Sequence, residues 1–155
     1  MATDVGLTAR AEFGDTMNIL VTGANGQLGT ELRNVTAGSR NNYIFSDVTS
    51  LPGVETLNLD ITNIDAVRIV CDSERVDVIV NCAAYTNVDK AEDEATMAML
   101  LNSAAAGNLA RVAAERKATL IHISTDYVFH GDVPLPCRED WATDPLGVYG
   151  STKLS

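Results

Sequence analysis

MNILVTGANGQLG, residues Met17 to Gly29, is the stretch from which the fold is read. Met17 to Val21 are five residues with the character of a short buried strand. Thr22 and Gly23 end it, and Gln27 to Leu32 begin a helix. Gly23, Gly26 and Gly29 stand between strand and helix in the pattern G-x-x-G-x-x-G. In that setting each glycine has a physical task. The first permits the tight turn, the second lets a phosphate approach the backbone, and the third allows helix and strand to pack closely. The free N–H groups at the helix start then face the anion. The spacing is a variant of the G-x-G-x-x-G dinucleotide fingerprint, and the competing reading is a glycine-rich turn of an ordinary α/β protein.

Beyond Gly29 the chain alternates helical and strand-like stretches, as repeated βαβ units with a parallel sheet require. A helix is predicted over Gln27 to Thr36, and a strand over Tyr43 to Phe45 that ends in Ser46-Asp47. Glu55 to Leu59 is an expected edge strand. Asp60 to Asn63 reads as a turn and cap before a helix from Ile64 to Val70. Val76 to Val80, ended by Asn81, is, past Asp77 at its entry, an apolar β-branched run of the kind found at the centre of a parallel sheet. One long helix is expected from Asp89 to Arg116, acidic at its start and basic at its end, with Gly107 as a kink or a close contact. Thr119 to Ile123 is a fifth strand. Pro134, Pro136 and Pro145 then rule out a regular element between Phe129 and Gly147. Val148 to Ser155 gives two turns of a last helix, too short to be stable on its own.

The 155 residues are 46% hydrophobic, enough for one domain with a real core. A formal charge of −10 argues against nucleic-acid or anionic-membrane surfaces. It also means that a phosphate must be held by local backbone dipoles. Cys71, Cys82 and Cys137 lack metal-ligand spacing and read as reduced thiols of a cytoplasmic protein, so no metal site is expected. No apolar run is long enough to span a membrane. Residues 1–16 resemble no secretory signal and are expected to be a disordered leader. The reading is therefore an α/β doubly wound parallel sheet of Rossmann type over residues 17–155.

In such a sheet, ligands bind at the carboxyl ends of the strands. Here those ends carry Gly23 to Gly29, Asp47, Asp60, Asn81 to Thr86 and Ser124 to Tyr127. Asp47 follows Gly29 by 18 residues, close to the spacing of an acid that accepts from an adenosine ribose, or it simply ends its strand. No lysine or arginine follows it closely, which favours NAD over NADP. Ala83 and Ala84 are small enough for a ribose or nicotinamide to lie against the backbone, or for a helix to meet the sheet. Tyr149 and Lys153 are spaced i, i+4 and share a helix face. A lysine ammonium beside a tyrosine hydroxyl lowers its pKa and suits it to protonate a carbonyl oxygen.

VNCAAYTNVDKAEDE (Val80 to Glu94), ISTDYVFHG (Ile123 to Gly131) and PLGVYGSTKL (Pro145 to Leu154) occur in that order. Together with the glycine stretch they resemble the extended short-chain dehydrogenase/reductases, from Met17 to the end of the chain. The resemblance implies NADPH or NADH as cofactor and a dTDP-sugar as substrate. The reaction would be reduction of the C4 keto group of a dTDP-bound 6-deoxy-4-keto hexose, in dTDP-L-rhamnose synthesis. It makes Tyr149 the proton donor, Lys153 the residue that tunes it and holds the nicotinamide ribose, and Thr125 the hydroxyl that orients the carbonyl. It lines the pyrophosphate with Gly23, Gly26, Gln27, Leu28 and Gly29. It places Asp60 and Ile61 by the adenine, and Ala83, Ala84 and Tyr85 by the ribose and nicotinamide. Asn102 matches a helix asparagine that supports the active-site backbone, or is an ordinary buried amide. The family continues past the Tyr-Lys helix into further strands and a sugar-nucleotide region, so the chain is expected to be an incomplete dinucleotide-binding domain. As such it would be inactive alone, and a homodimer is expected of a full-length form. Two other readings stand beside the reductase: a sister epimerase or dehydratase with tightly bound NAD, and a regulatory homologue without turnover.

Overall fold

Val21 and Leu20 point to opposite faces of the central strand, and both are wholly buried. That two-sided burial is what a parallel sheet covered by helices demands. The computed structural model describes residues 16–132 and 135–155. Of the expected leader, residues 1–15 lie outside the described residues, as does Pro134.

Five parallel strands form one sheet in the order β3-β2-β1-β4-β5. They are β1 (Asn18–Thr22), β2 (Asn42–Asp47), β3 (Leu57–Asn58), β4 (Val78–Asn81) and β5 (Thr119–His122). The strand order reverses between β1 and β4, where Thr22 pairs with Asn81. The helices are α1 (Gln27–Val35), α2 (Ile64–Ser73), α3 (Val88–Asp93), α4 (Ala95–Met99), α5 (Ala105–Arg116) and α6 (Val148–Leu154). One face of the sheet buries Leu20 and Ile79 against Val67 and Cys71 of α2 and Leu109 and Val112 of α5. On the other, Ile19, Val21 and Ala24 pack with Leu32 of α1 and with Tyr43, Phe45, Val78 and Val80. Among the described residues no helix is long and apolar enough to cross a membrane.

Several expected elements differ in extent. β2 is longer at both ends than Tyr43 to Phe45. The edge strand shrinks to two exposed residues, because only Ser46 and Asp47 offer it a ladder. The cap before α2 is as expected: the Asn63 side chain accepts from the Asp65 and Ala66 N–H groups, both at 3.1 Å. The long helix from Asp89 to Arg116 is instead four pieces. It breaks at Glu94 (φ −115°, ψ 36°), whose carboxylate accepts from the Tyr85 hydroxyl at 2.7 Å and lies 3.6 Å from Lys90. A π-helical turn, Leu100–Ala104, then precedes α5. Gly107 makes no close contact, since a Cβ there would meet nothing within 4 Å, and α5 runs through it without interruption.

Gly29 is the contrast. A Cβ at Gly29 would stand 2.5 Å from both Ala24 Cα and the Gly23 carbonyl oxygen. Gly29→Ala is therefore expected to destabilise the chain by about 1–3 kcal/mol, the usual cost of overpacking. Gly107→Ala should stabilise it by about 0.5–1 kcal/mol, because alanine loses less backbone freedom in a helix. Urea unfolding of the two variants beside the wild type measures both signs.

Candidate active site

The reversal of strand order opens a cleft at the carboxyl ends of β1 and β4. One part, about 220 Å³, is lined by Gly23, Gly26, Asp47, Asp60, Ile61, Ala83 and Ala84, with Val48, Leu59, Cys82 and Leu101. It shares Gly26 and Cys82 to Ala84 with a second part of about 350 Å³. The second part adds Gln27, Leu28, Asn81, Ile123, Ser124, Tyr149 and Lys153. The topology thus brings residues from seven separate stretches to one continuous surface. A larger groove along β2 is lined by Arg33, Tyr43, Phe45 and Glu55 and holds none of the expected site residues.

At the glycine end, Gly23 takes φ +66°, and a Cβ on it would lie 2.5 Å from the Ala83 nitrogen. Gly26 is the N-cap of α1 and offers no side-chain cap, and no acid occupies the first turn. The N–H groups of that turn stand at the cleft wall without a side-chain partner, a fitting seat for an anion. Asp47 braces the same loop. Its carboxylate accepts from the Asn25 N–H at 3.1 Å and from the Thr49 N–H and hydroxyl at 2.9 and 2.8 Å. Partial burial pushes this carboxyl up, but the hydrogen bonds from Thr49, Asn25 and Val48 together hold it below its ordinary range. The Asp60 carboxylate is similarly used by the Thr62 N–H and hydroxyl.

At the other end, α6 carries Tyr149 and Lys153 on one face. Seven residues would not hold a helix alone, and four tethers do so here. Glu92 of α3 accepts from the Val148 N–H at 2.8 Å. Gly150 packs so closely on the Tyr127 carbonyl that a Cβ would overlap it. The Tyr127 and Tyr149 rings meet edge to face at 5.6 Å. Asn102, projected inward by the π-helical turn, donates to the Thr152 hydroxyl at 3.0 Å. The same amide accepts from the Tyr85 N–H at 2.8 Å and donates to the Tyr85 carbonyl at 3.1 Å. Asn102 therefore joins the loop after β4 to α6 in one buried fork.

Lys153 Nζ donates to the Ile123 carbonyl at 2.6 Å and lies 3.3 Å from His122 Nε2. Burial pushes the lysine below its ordinary range. His122 is pushed down too, by burial first and by the lysine charge second. Behind His122 lies Asn81, which also joins Thr22 and Ala83.

Of the expected residues, Gly23, Gly26, Gln27, Leu28, Asp47, Asp60, Ile61, Ala83, Ala84, Tyr149 and Lys153 line the cleft. Gly29 lies behind it against Ala24. Tyr85 turns its hydroxyl to Glu94. Thr125 caps the 3₁₀ turn Asp126–Val128, accepting from the Tyr127 N–H at 3.3 Å and donating to Asp126 Oδ1 at 3.2 Å. Glu92, His122 and Thr152 were not singled out by the sequence. Glu92 and Thr152 lie inside quoted segments that gave them no role of their own, and His122 immediately precedes another.

Comparison with known proteins gives these residues a family setting. Residues 17–155 match the family model for the RmlD substrate binding domain. The dTDP-4-dehydrorhamnose reductase of Salmonella typhimurium is 45% identical over 139 residues, 90% of this chain and 45% of that protein. A solved dTDP-4-dehydrorhamnose reductase from Clostridium acetobutylicum is similar at a TM-score of 0.81 and 40% identity, over 89% of this chain and 46% of that one. The Bacillus anthracis enzyme of the same name, solved in complex with NADP, gives 0.79 and 36%, over 90% and 47%. The chain spans less than half the length of these relatives.

Asn102→Ala removes three hydrogen bonds at a site only 3% exposed and strands the Tyr85 N–H. It is expected to destabilise the fold by about 1–3 kcal/mol, the cost of an unsatisfied buried polar group. Urea unfolding checks the magnitude. Amide exchange should show faster opening at Tyr85 and along α6 than in β1.

Proposed function

The chain belongs to the RmlD substrate binding domain family, and from that premise we propose that it forms the dinucleotide-binding and proton-donating part of a dTDP-4-dehydrorhamnose reductase. One observation carries the reading: a single cleft runs from the free N–H groups of α1 to Tyr149 and Lys153. The relatives' names favour this reductase over a sister epimerase or dehydratase, and the retention of Tyr149 and Lys153 in the cleft speaks against a regulatory homologue.

In this proposal residues 17–155 bind NADPH or NADH. Gly23, Gly26, Gln27, Leu28 and Gly29 form the pyrophosphate seat, Asp60 and Ile61 lie by the adenine, and Asp47 faces the adenosine ribose. Ala83, Ala84 and Tyr85 border the ribose and nicotinamide. When bound, the cofactor supplies hydride to the C4 keto carbon of dTDP-4-dehydro-L-rhamnose. Tyr149 gives its hydroxyl proton to the carbonyl oxygen, so that the ketone becomes an alcohol. Lys153 holds the nicotinamide ribose and tunes Tyr149. Thr125, whose hydroxyl makes only long hydrogen bonds here, orients the carbonyl. A cytoplasmic setting and a homodimer belong to the same proposal.

The test is oxidation of NADPH and NADH in the presence of dTDP-4-keto-6-deoxy-L-mannose. It is run with the 155-residue chain and with a version extended to the length of its relatives. Turnover by neither would remove the reading.

Tyr149→Phe, in whichever form turns over, should lower kcat by roughly 10²–10⁴ while leaving cofactor Kd nearly unchanged. Stopped-flow turnover and calorimetric titration separate the two effects, and a loss under about tenfold would deny Tyr149 the role of acid.

Gly26→Val should abolish NADPH and NADH binding without unfolding the chain. At that position a Cβ meets only the Gly23 carbonyl oxygen, at 3.3 Å, so the added side chain fills the cleft instead of breaking the core. Calorimetry with both cofactors, beside a circular dichroism melt, reads the outcome.

A further inference from the structure

Within the π-helical turn, Leu101 alone lines the cleft. The next residue, Asn102, is buried and turns instead toward Tyr85 and Thr152. Such turns are rare and frequently stand at functional sites. Hydrogen bonding accounts for Asn102 but not for Leu101, which presents a half-buried aliphatic chain to the cleft. Val48, just past the end of β2, has the same character. It is 60% exposed, yet its surroundings are anchored. Asp47 before it accepts from the Thr49 N–H after it, and its own carbonyl accepts from the Asn58 side chain at 3.3 Å.

Leu59 and Ile61, both buried, complete the aliphatic lining of the smaller part of the cleft. The Asn108 side chain donates to the Ile61 and Thr62 carbonyls at 3.3 and 3.0 Å, which ties this floor to α5. Besides the Cys82 thiol, the polar side chains of this part are Asp47 and Asp60, and among the described residues no lysine, arginine or histidine lines it. Such a lining repels an anion. It suits a neutral, flat, apolar group whose edge carries hydrogen-bond donors. The place for an anion is the boundary with the larger part, where Gly26 borders both. The larger part holds Tyr149 and Lys153. Of the two rings of a nicotinamide dinucleotide, the one that does not react therefore belongs in the smaller part.

We propose that Leu101 and Val48 are base-contact residues, whose side chains pack on the adenine ring above the floor made by Leu59 and Ile61. Consecutive residues of one π-helical turn then act at the two ends of the site, Leu101 on the base and Asn102 beneath α6. Leu101 and Val48 lie away from the reacting atoms. They set the affinity for the adenosine half of the cofactor equally in ground and transition states, and leave the rate of hydride transfer alone. That the ligand is an adenine dinucleotide rests on the reductase reading above.

The experiment is methyl NMR on the 155-residue chain with ADP as the probe. Leu101→Met and Val48→Ser identify the two sets of signals by their loss. The ring current of the base is expected to shift the Leu101 and Val48 methyl signals and to give contacts with the adenine ring protons. Val35, at the far end of α1 from Gly26, should stay unmoved. ADP that binds without moving either residue overturns the proposal, and so does ADP that does not bind. Leu101→Ala should weaken ADP and NADH by roughly tenfold through the lost apolar contact. Leu101→Met, which keeps the volume, should stay within about threefold of the wild type. Val48 is exposed, so Val48→Ser tests the same contact without burdening the fold, and a loss of about threefold or more is expected. Unchanged ADP affinity in both Leu101→Ala and Val48→Ser overturns the proposal. Inorganic pyrophosphate carries no base and should bind Leu101→Ala as it binds the wild type. An equal loss for pyrophosphate and ADP would make Leu101 a support of the loop, not a contact of the base. Shifted methyl signals beside an extended chain without turnover would leave the base contact standing and remove the reductase. Turnover with unmoved methyl signals would do the reverse.

Discussion

Two backbones nearly touch at the point where the strand order reverses, and the site depends on that approach. Gly23 leaves β1 with φ +66°, and the space a Cβ would need is taken by the backbone of Cys82 and Ala83. A side chain there would be strained twice, by conformation and by contact. Because Gly23 has none, the chain after β1 and the chain after β4 leave the sheet side by side and then part, one toward α1 and the other toward α3. The cleft is the space between them. Gly29 repeats the constraint one helical turn later, where α1 lies on Ala24 with no room for a methyl group. The two glycines are architectural, whereas Gly26, with only a carbonyl 3.3 Å from its Cβ direction, leaves room at the surface.

Placing so many polar groups at the end of a buried sheet is costly unless each finds a partner. Thr22, Ser46, Asn81, Asn102 and Thr152 are all at most 3% exposed. Thr22 and Asn81 satisfy one another across the switch, Ser46 donates to the Val21 carbonyl at 3.1 Å, and Asn102 and Thr152 meet under α6. No buried side-chain nitrogen or oxygen among the described residues is left without a partner. The backbone N–H groups at the start of α1 have no side-chain cap. In a chain of net charge −10, which offers no general attraction to an anion, those dipoles are the local means of holding a phosphate.

What the sequence made legible follows from range. The β1–turn–α1 unit is local, and its glycines could be assigned before any tertiary contact was known. β4 and β5 could be read from apolar runs, and the cap at Asn63 from residue type. The Tyr149–Lys153 pair needed only helical spacing. The interruption between Asp89 and Arg116 was not legible, because composition there is helical throughout. At the break, Glu94 is bound by the Tyr85 hydroxyl from nine residues earlier, and Asn102 of the π-helical turn meets a loop 17 residues away. The partners of α6 were less legible still. Glu92 and Val148 are 56 residues apart, and an acid in an acidic stretch gives no sign that it caps a distant helix. Gly107 misled in the other direction, since a glycine inside a helical pattern suggests a contact that tertiary structure does not make.

The short α6 shows why those long-range contacts bear on chemistry. With seven residues its own hydrogen bonds fix little, so the relative position of Tyr149 and Lys153 is inherited from what surrounds it. Glu92 holds the amino end, the Tyr127 carbonyl sets the approach at Gly150, Asn102 fixes Thr152, and the Ile123 carbonyl receives Lys153. These come from four elements that are separately anchored, two of them through the sheet or through helices packed on it. A reacting pair placed this way is only as precise as its supports, since a displacement of about 1 Å can cost a hundredfold in rate. The supports also differ in kind. Three of them are geometric, holding the helix in place whatever the charge on the lysine. The fourth is a contact of the lysine itself, which donates to the Ile123 carbonyl with His122 Nε2 3.3 Å away. The position of α6 therefore rests mainly on contacts that do not pass through its lysine.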